Sequence, residues 1–282
     1  MVTQYLDGLE VQLRKPFDLG FINQYGNVFK VFDKQSTGAL CFGVEKAGKR
    51  YFLKFAGAET IKSEFNVEDV INILKFSVPK YNDLKHPLLV NQIDADEVGG
   101  GFLTVFDWFD GVSFGYPQTE MCKKFMALPV NKKQHVYEGI LEFHAHVAKQ
   151  GYVAIDFNDQ NTLYNFGDGS FVICDIDYYA KQCYMNGTGE IFGAPLLTSP
   201  EECRMGGLVD EISNVYAMGA TAFVFFADAL FTHGENFLRE KWELSQELYE
   251  VAKKAVSEPR HKRQQSIRSL IAEWKAADAL NR

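Results

Sequence analysis

Up to about Asp110 the hydrophobic pattern is mostly that of strands and turns. Gly26 to Phe32 (GNVFKVF) alternates apolar and polar side chains, the period of a half-buried strand. Leu40 to Glu45, the turn Lys46-Ala47-Gly48-Lys49, and Arg50 to Phe55 predict a hairpin. At Asn66 the period lengthens to that of a helix. Asn66 is placed as N-cap, Glu68 and Asp69 fall in the first turn, and Val70, Ile73, Leu74 and Val78 keep helical spacing until Pro79 interrupts or kinks it. Two more strands are expected at Leu88 to Ile93 and Phe102 to Phe109, with a Gly99-Gly100-Gly101 turn before the second.

After Gly111 helical periodicity takes over. Helices are expected at Thr119 to Ala127, Lys132 to Lys149, Asp210 to Ala229, Arg239 to Ser257 and Gln264 to Ala279, with a strand–turn–strand from Thr162 to Asp175 among them. A mostly β segment followed by a mostly helical one predicts an α+β chain in two parts, 1–109 and 110–282, connected through Asp107 to Gly111. There are no internal repeats.

Composition narrows the classes. The chain has 282 residues, 46% of them hydrophobic, which supports a real core and argues against intrinsic disorder. Its formal charge of −8 argues against coating nucleic acid or an anionic membrane through bulk charge. The longest apolar stretch, Ala217 to Ala227, is too short to span a bilayer. No secretory signal is read at the N-terminus. Five scattered cysteines without C-x-x-C spacing then read as reduced thiols in a cytoplasmic protein.

Candidate chemistry concentrates in Gly151 to Asp177 (GYVAIDFNDQNTLYNFGDGSFVICDID). A loop carries Asp156 and, five residues on, Asn161; an apolar strand then ends in Asp175, Ile176 and Asp177. Asp156, Asn161 and Asp175 offer oxygen ligands and a proton acceptor, a set suited to a hard cation already holding phosphate oxygens. Taken alone, Asp156 and Asn161 are more often ordinary turn and cap residues than a site. Lys54, in the apolar strand Tyr51-Phe52-Leu53-Lys54, faces either solvent or a charged ligand, and for a lone lysine solvent is the usual answer.

The order of these features resembles the protein kinase superfamily: strand lysine, helix, two strands, linker, long helix, D-x-x-x-x-N loop, strand ending in Asp. The likeness runs from about Phe21 to about Arg263. Val153 to Asn161 is similar to the H-R-D-x-x-x-x-N loop in its Asp and Asn, and Asp175-Ile176-Asp177 takes the D-F-G place. Gly193-Ala194-Pro195-Leu196-Leu197-Thr198-Ser199-Pro200-Glu201 is similar to the segment ending in A-P-E, and Arg263 falls where kinases keep the partner of that Glu. The resemblance implies a bilobal fold, a small β-rich N-lobe and a larger helical C-lobe, acting on ATP and Mg²⁺. Lys54 would hold the α- and β-phosphates, Asp175 and Asn161 would bind Mg²⁺, and Asp156 would orient the attacking hydroxyl and accept its proton. Phe106 would take the gatekeeper place, Asp107 to Phe109 would offer backbone groups to adenine, and Val28 and Leu163 would complete the nucleotide site. The acceptor it implies is a Ser or Thr hydroxyl on a protein, with Thr188, Thr198 and Ser199 of the chain's own segment as candidates.

Several positions depart from the family. The glycine loop is degraded: Phe21 and Asn23 stand at two glycine places and only Gly26 is kept. Phe52 replaces an alanine, Ile155 the Arg of H-R-D, Ala154 its His, Asn158 a lysine and Asp177 the glycine of D-F-G. The helical partner of Lys54 is not where counting places it; Glu64 and Glu68 are the nearest upstream acids. Two alternatives therefore stand beside an active protein kinase: a pseudokinase acting as a binding or scaffold module, and a small-molecule kinase of the aminoglycoside or choline kinase type. His144 and His146, two apart on the long helix, read as packing or surface histidines.

Overall fold

Several strand pairs in the first part of the chain are closed by two-residue turns whose residues take left-handed backbone. Strand β1 (Val2–Leu6) turns through Asp7 and Gly8, at φ 49° and 81°, into β2 (Leu9–Leu13), the geometry of a type I′ hairpin. Strands β3 (Asn27–Phe32), β4 (Leu40–Lys46) and β5 (Lys49–Ala56) follow, then helix α1 (Val67–Asp83), β6 (Gln92–Val98) and β7 (Gly101–Asp107). The five later strands form one antiparallel sheet in the order β3-β4-β5-β7-β6. The computed structural model describes residues 1–63, 65–114, 119–187, 197–227 and 239–280. It divides into two units, Met1–Lys85 with Val90–Asp110, and His86–Leu89 with Gly111–Arg282.

Alternation gives the sheet of the first unit two apolar faces. On one, Val28, Leu40, Phe42, Val44, Leu53, Phe55, Leu103 and Val105 pack with Val11 and Leu13 of the β1–β2 hairpin. On the other, Ala39, Cys41 and Ala56 pack against Val70 and Leu74 of α1. Asn66 caps that helix by accepting the Asp69 N–H at 2.9 Å. The helix continues through Pro79 to Asp83.

The second unit carries β8 (Val112–Ser113), α2 (Glu120–Met126), α3 (Val130–Lys149), β9 (Tyr152–Val153), β10 (Thr162–Tyr164), β11 (Phe171–Ile173), β12 (Ala180–Lys181), β13 (Tyr184–Asn186), β14 (Gly207–Val209), α4 (Glu211–Ala227), α5 (Gln246–Ala255) and α6 (Ile267–Ala279). Its core is aromatic. Tyr137 of α3 packs on Phe226 of α4 and Trp274 of α6, with ring centroids 5.7 and 4.7 Å away. Among the described residues no helix is long and apolar enough to cross a membrane.

Two expected elements are corrected. Leu88 to Ile93 is not a strand of the five-stranded sheet; β6 starts at Gln92, and Leu89 instead bridges Ile173 of β11. The helix expected over Arg239 to Ser257 is a 3-10 turn at Arg239–Lys241 followed by α5, which Ser245 caps by accepting the Leu248 N–H. The last two residues of the helix expected from Asp210 to Ala229 lie outside the described residues, as do Glu64, Thr188 and 193–196.

Candidate active site

In the first unit, Lys54 is half-buried in the middle of β5, across from Cys41 of β4 and Thr104 of β7. It shares its face with Phe52 and Ala56, the face that packs on α1. Phe106 lies across from Phe52, is buried, and sets its ring 6.3 Å from that of Phe52 and 4.9 Å from Tyr81. The Phe29 and Trp108 rings meet edge to face at 4.9 Å and close on Gly43, where a Cβ would come within 2.7 Å of Phe29. Gly43 is paired with Phe52, so this aromatic group occupies the Lys54 face. Asp107 is exposed; its N–H donates to Asn91 O at 3.0 Å and the Trp108 N–H to Arg50 O at 3.2 Å. Of the backbone donors proposed for adenine, those two are committed within the unit. Phe109 is half-buried, and Glu68 is exposed in the first turn of α1.

Val28 is corrected. It pairs with Val44 and lies in the core on the sheet face opposite Lys54, so it does not line a site with that lysine. The glycine loop read at Phe21 to Val28 moves with it. Gly20–Gln24 form a 3-10 turn, and the strand–loop–strand preceding β5 is β3, residues 33–39 and β4. Gly26 is required by packing: at φ 139°, a Cβ there would lie 2.5 Å from the Glu45 carbonyl oxygen.

In the second unit, a hydrogen-bond network joins the Asp156 loop to the strand end that precedes Asp175. Asn161 is buried; its side-chain oxygen accepts the Asn158 N–H at 2.7 Å and its carbonyl accepts the Cys174 N–H at 2.8 Å. The second bond fastens the end of the Asp156 loop to the residue before Asp175. Asn158 also donates through Nδ2 to the Asp156 carbonyl at 3.2 Å. Asp156 and Asp175 both take left-handed backbone, at φ 66° and 59°, a conformation uncommon for non-glycine residues and tolerated best by Asn and Asp. Leu163, half-buried on β10, pairs with Val172 and Ser113. Asp177 is buried.

The loop is anchored from below. Asn214 of α4 accepts the Ala154 N–H and donates to the Ala154 carbonyl, both at 2.8 Å. His144 of α3 is fully buried and hydrogen-bonds the Tyr179 hydroxyl at 2.9 Å. Burial drives the His144 pKa down to about 4 against the bond to the Ile140 carbonyl. Burial, then the charges of Asp156, Cys174 and Asp175, raise the Tyr179 pKa well above its ordinary value. His146 is half-buried, its ring 5.2 Å from that of His86.

Glu201 and Arg263 form a buried bidentate pair, with Nη1–Oε1 at 2.7 Å and Nη2–Oε2 at 3.1 Å. Ser213 donates to the same carboxylate at 2.9 Å. Thr198 and Ser199 are corrected as phosphate acceptors: both are buried, and the Ser199 hydroxyl is bonded to Glu202 at 2.5 Å.

No family model matches the chain, and no curated protein matches it.

Among the described residues no group of three or more His, Cys, Asp or Glu side chains is placed to hold a metal ion. The donor set in the second unit is two carboxylates and one amide oxygen. That chemistry suits a hard cation that brings most of its ligands with it as phosphate and water oxygens. The anchoring roles of His144 and Tyr179 carry no spacing signal. Asn214 was marked only by its place in the kinase-like order, at the start of a helix that kinases usually begin with Asp.

Proposed function

We propose that the chain is an ATP- and Mg²⁺-dependent phosphotransferase of protein kinase type, with a Ser or Thr hydroxyl of a protein as acceptor. The observation that carries this reading is the joined loop of the second unit. The Cys174–Asn161 backbone bond ties the loop that carries Asp156 and Asn161 to the strand end just before Asp175, and both aspartates take left-handed backbone. Phosphoryl transfer needs positioning and cancellation of negative charge more than covalent help. In this reading Asp156 orients the attacking hydroxyl and takes its proton, while Asn161 and Asp175 hold Mg²⁺. Lys54, on the third strand of a five-stranded sheet backed by a helix, binds the α- and β-phosphates. The bidentate Glu201–Arg263 pair, expected of a protein kinase, supports a protein acceptor over a small molecule.

One observation favours the second reading, a pseudokinase. Phe29 and Trp108 close on Gly43 beside Phe52, on the face Lys54 shares. A nucleotide base would have to stack on these rings or displace them.

A titration followed by melting separates the two. Because the protein supplies few metal ligands, ATP is expected to stabilise the chain only with Mg²⁺, and Mg²⁺ only with ATP. The gain should be about 2.7 kcal/mol at a ligand concentration about 100 times its Kd. Asp156→Ala should keep this binding and lose transfer of the γ-phosphate; Asp175→Ala should lose the metal dependence. Equal stabilisation in EDTA, or near-normal turnover by Asp156→Ala, would sink the active-enzyme reading.

A further inference from the structure

Asp156 and Asp175 share a left-handed backbone that lies outside any two-residue hairpin turn, so the contacts around them set how the two segments sit together. The Asn214 clamp reaches only Ala154, ahead of Asp156. Nothing in that clamp restrains the segment after Asp175.

His144 and Tyr179 link the two segments. The Ile140 carbonyl 2.8 Å from His144 Nδ1 can only accept, so Nδ1 carries the proton and Nε2 is a bare acceptor. The Tyr179 hydroxyl therefore donates to Nε2. This fixes the polarity of the chain of bonds, from the tyrosine through the imidazole to the backbone of α3. The Phe157 ring, next in sequence to Asp156, packs edge-on against the imidazole at 4.3 Å. Tyr179 is tied back by its N–H to the Ile176 carbonyl at 3.1 Å, one residue after Asp175. One buried imidazole thus touches the residue beside Asp156 and, through a single hydroxyl, the turn beside Asp175.

We infer that His144 and Tyr179 are positioning residues: a buried Tyr–His strut holds the Asp156 loop and the Asp175 turn in their left-handed pairing. The inference rests on the proposed phosphotransferase reading for its functional consequence. It does not rest on that reading for its structural one.

The decisive substitution is Tyr179→Phe, which removes one oxygen and keeps the ring. His144→Leu removes the acceptor, whereas His144→Gln returns an amide oxygen toward the hydroxyl. Amide hydrogen exchange is read at residues 154–158 and 174–177, with α6 as an internal reference. Loss of one buried hydrogen bond should speed exchange there about fivefold in Tyr179→Phe and His144→Leu, with His144→Gln restored toward the parent and α6 unchanged. If the parent transfers phosphate, kcat should fall about fivefold or more in the first two variants, with KM for MgATP unchanged and recovery in His144→Gln. Exchange unchanged at both segments, or accelerated equally in α6, overturns the strut. A parent that transfers no phosphate removes the phosphotransferase reading and leaves the exchange pattern to decide the strut alone.

Discussion

Single residues in this chain are constrained most where charge is buried. The Glu201 carboxylate loses hydration, which pushes its pKa up, but hydrogen bonds and charge from Arg263 outweigh this and hold it below its ordinary value. Removing the arginine leaves the cost without the compensation. Arg263→Ala is therefore expected to destabilise the protein by about 3–5 kcal/mol, read by urea unfolding at neutral pH. An unchanged midpoint would mean that the pair contributes nothing net. This pair was legible in the sequence, since a Glu and an Arg 62 residues apart stand where a kinase keeps such partners. The state of Thr198 and Ser199 was not, because nothing in their spacing says that the adjoining Glu202 binds the serine. The left-handed backbone of Asp156 and Asp175 was equally hidden. Aspartate tolerates that conformation, but outside a two-residue turn such as Asp7-Gly8 no local signal announces it.

Elements were legible where one local signal sufficed. Asn66 capped its helix as read, and the Ala47-Gly48 turn closed its hairpin, both being decided by neighbours in sequence. Asp7-Gly8, an equally strong hairpin signal, opens the chain between strands that were not singled out. Tertiary pairing defeated the reading at Leu88 to Ile93. Its first two leucines serve the second unit, where the Ile173 N–H donates to the Leu88 carbonyl at 2.6 Å, and the charged β6 (QIDADEV) carries no apolar period to announce it. The region from Arg239 to Ser257 failed differently: a helical period hid a cap. Here a substitution gives opposite signs for the two descriptions. In the interior of a continuous helix, Ser245→Ala would stabilise by about 0.5 kcal/mol, since alanine is the better helix former. As the N-cap of α5, the same change should destabilise by about 1 kcal/mol. Thermal or urea unfolding of this one variant decides between them, and a stabilised protein would restore the continuous helix.

Stability of the whole molecule should depend on acid in two stages, set by groups whose protons are controlled by burial. Three histidines are shifted the same way. Burial lowers His144 to about 4; burial and the charge of His146 lower His86 against the pull of Glu142; burial and Lys149 lower His146. A histidine with a depressed folded-state pKa stays neutral in the native protein while the unfolded chain takes up a proton. Proton binding therefore favours unfolding as pH falls below the ordinary value of 6.5, and for His144 the loss is complete only near pH 4. For that residue alone the loss should reach about 2 kcal/mol at about pH 5 and about 3 kcal/mol by about pH 4. Glu201 acts later and with the other sign of charge. Its folded-state pKa is depressed, so its contribution is present above 4.5 and is lost as pH falls through the lower native value. The expected profile is flat from about pH 7 to about pH 8, declines first through the histidines, and then steepens as the Glu201–Arg263 pair protonates. Urea unfolding at stepped pH measures it, and His144→Gln isolates the first stage. That variant should lose about 2 kcal/mol less than the parent between about pH 7 and pH 5. Parallel profiles for parent and variant across that interval would show that His144 is protonated as easily folded as unfolded, and that the cavity holding it admits water.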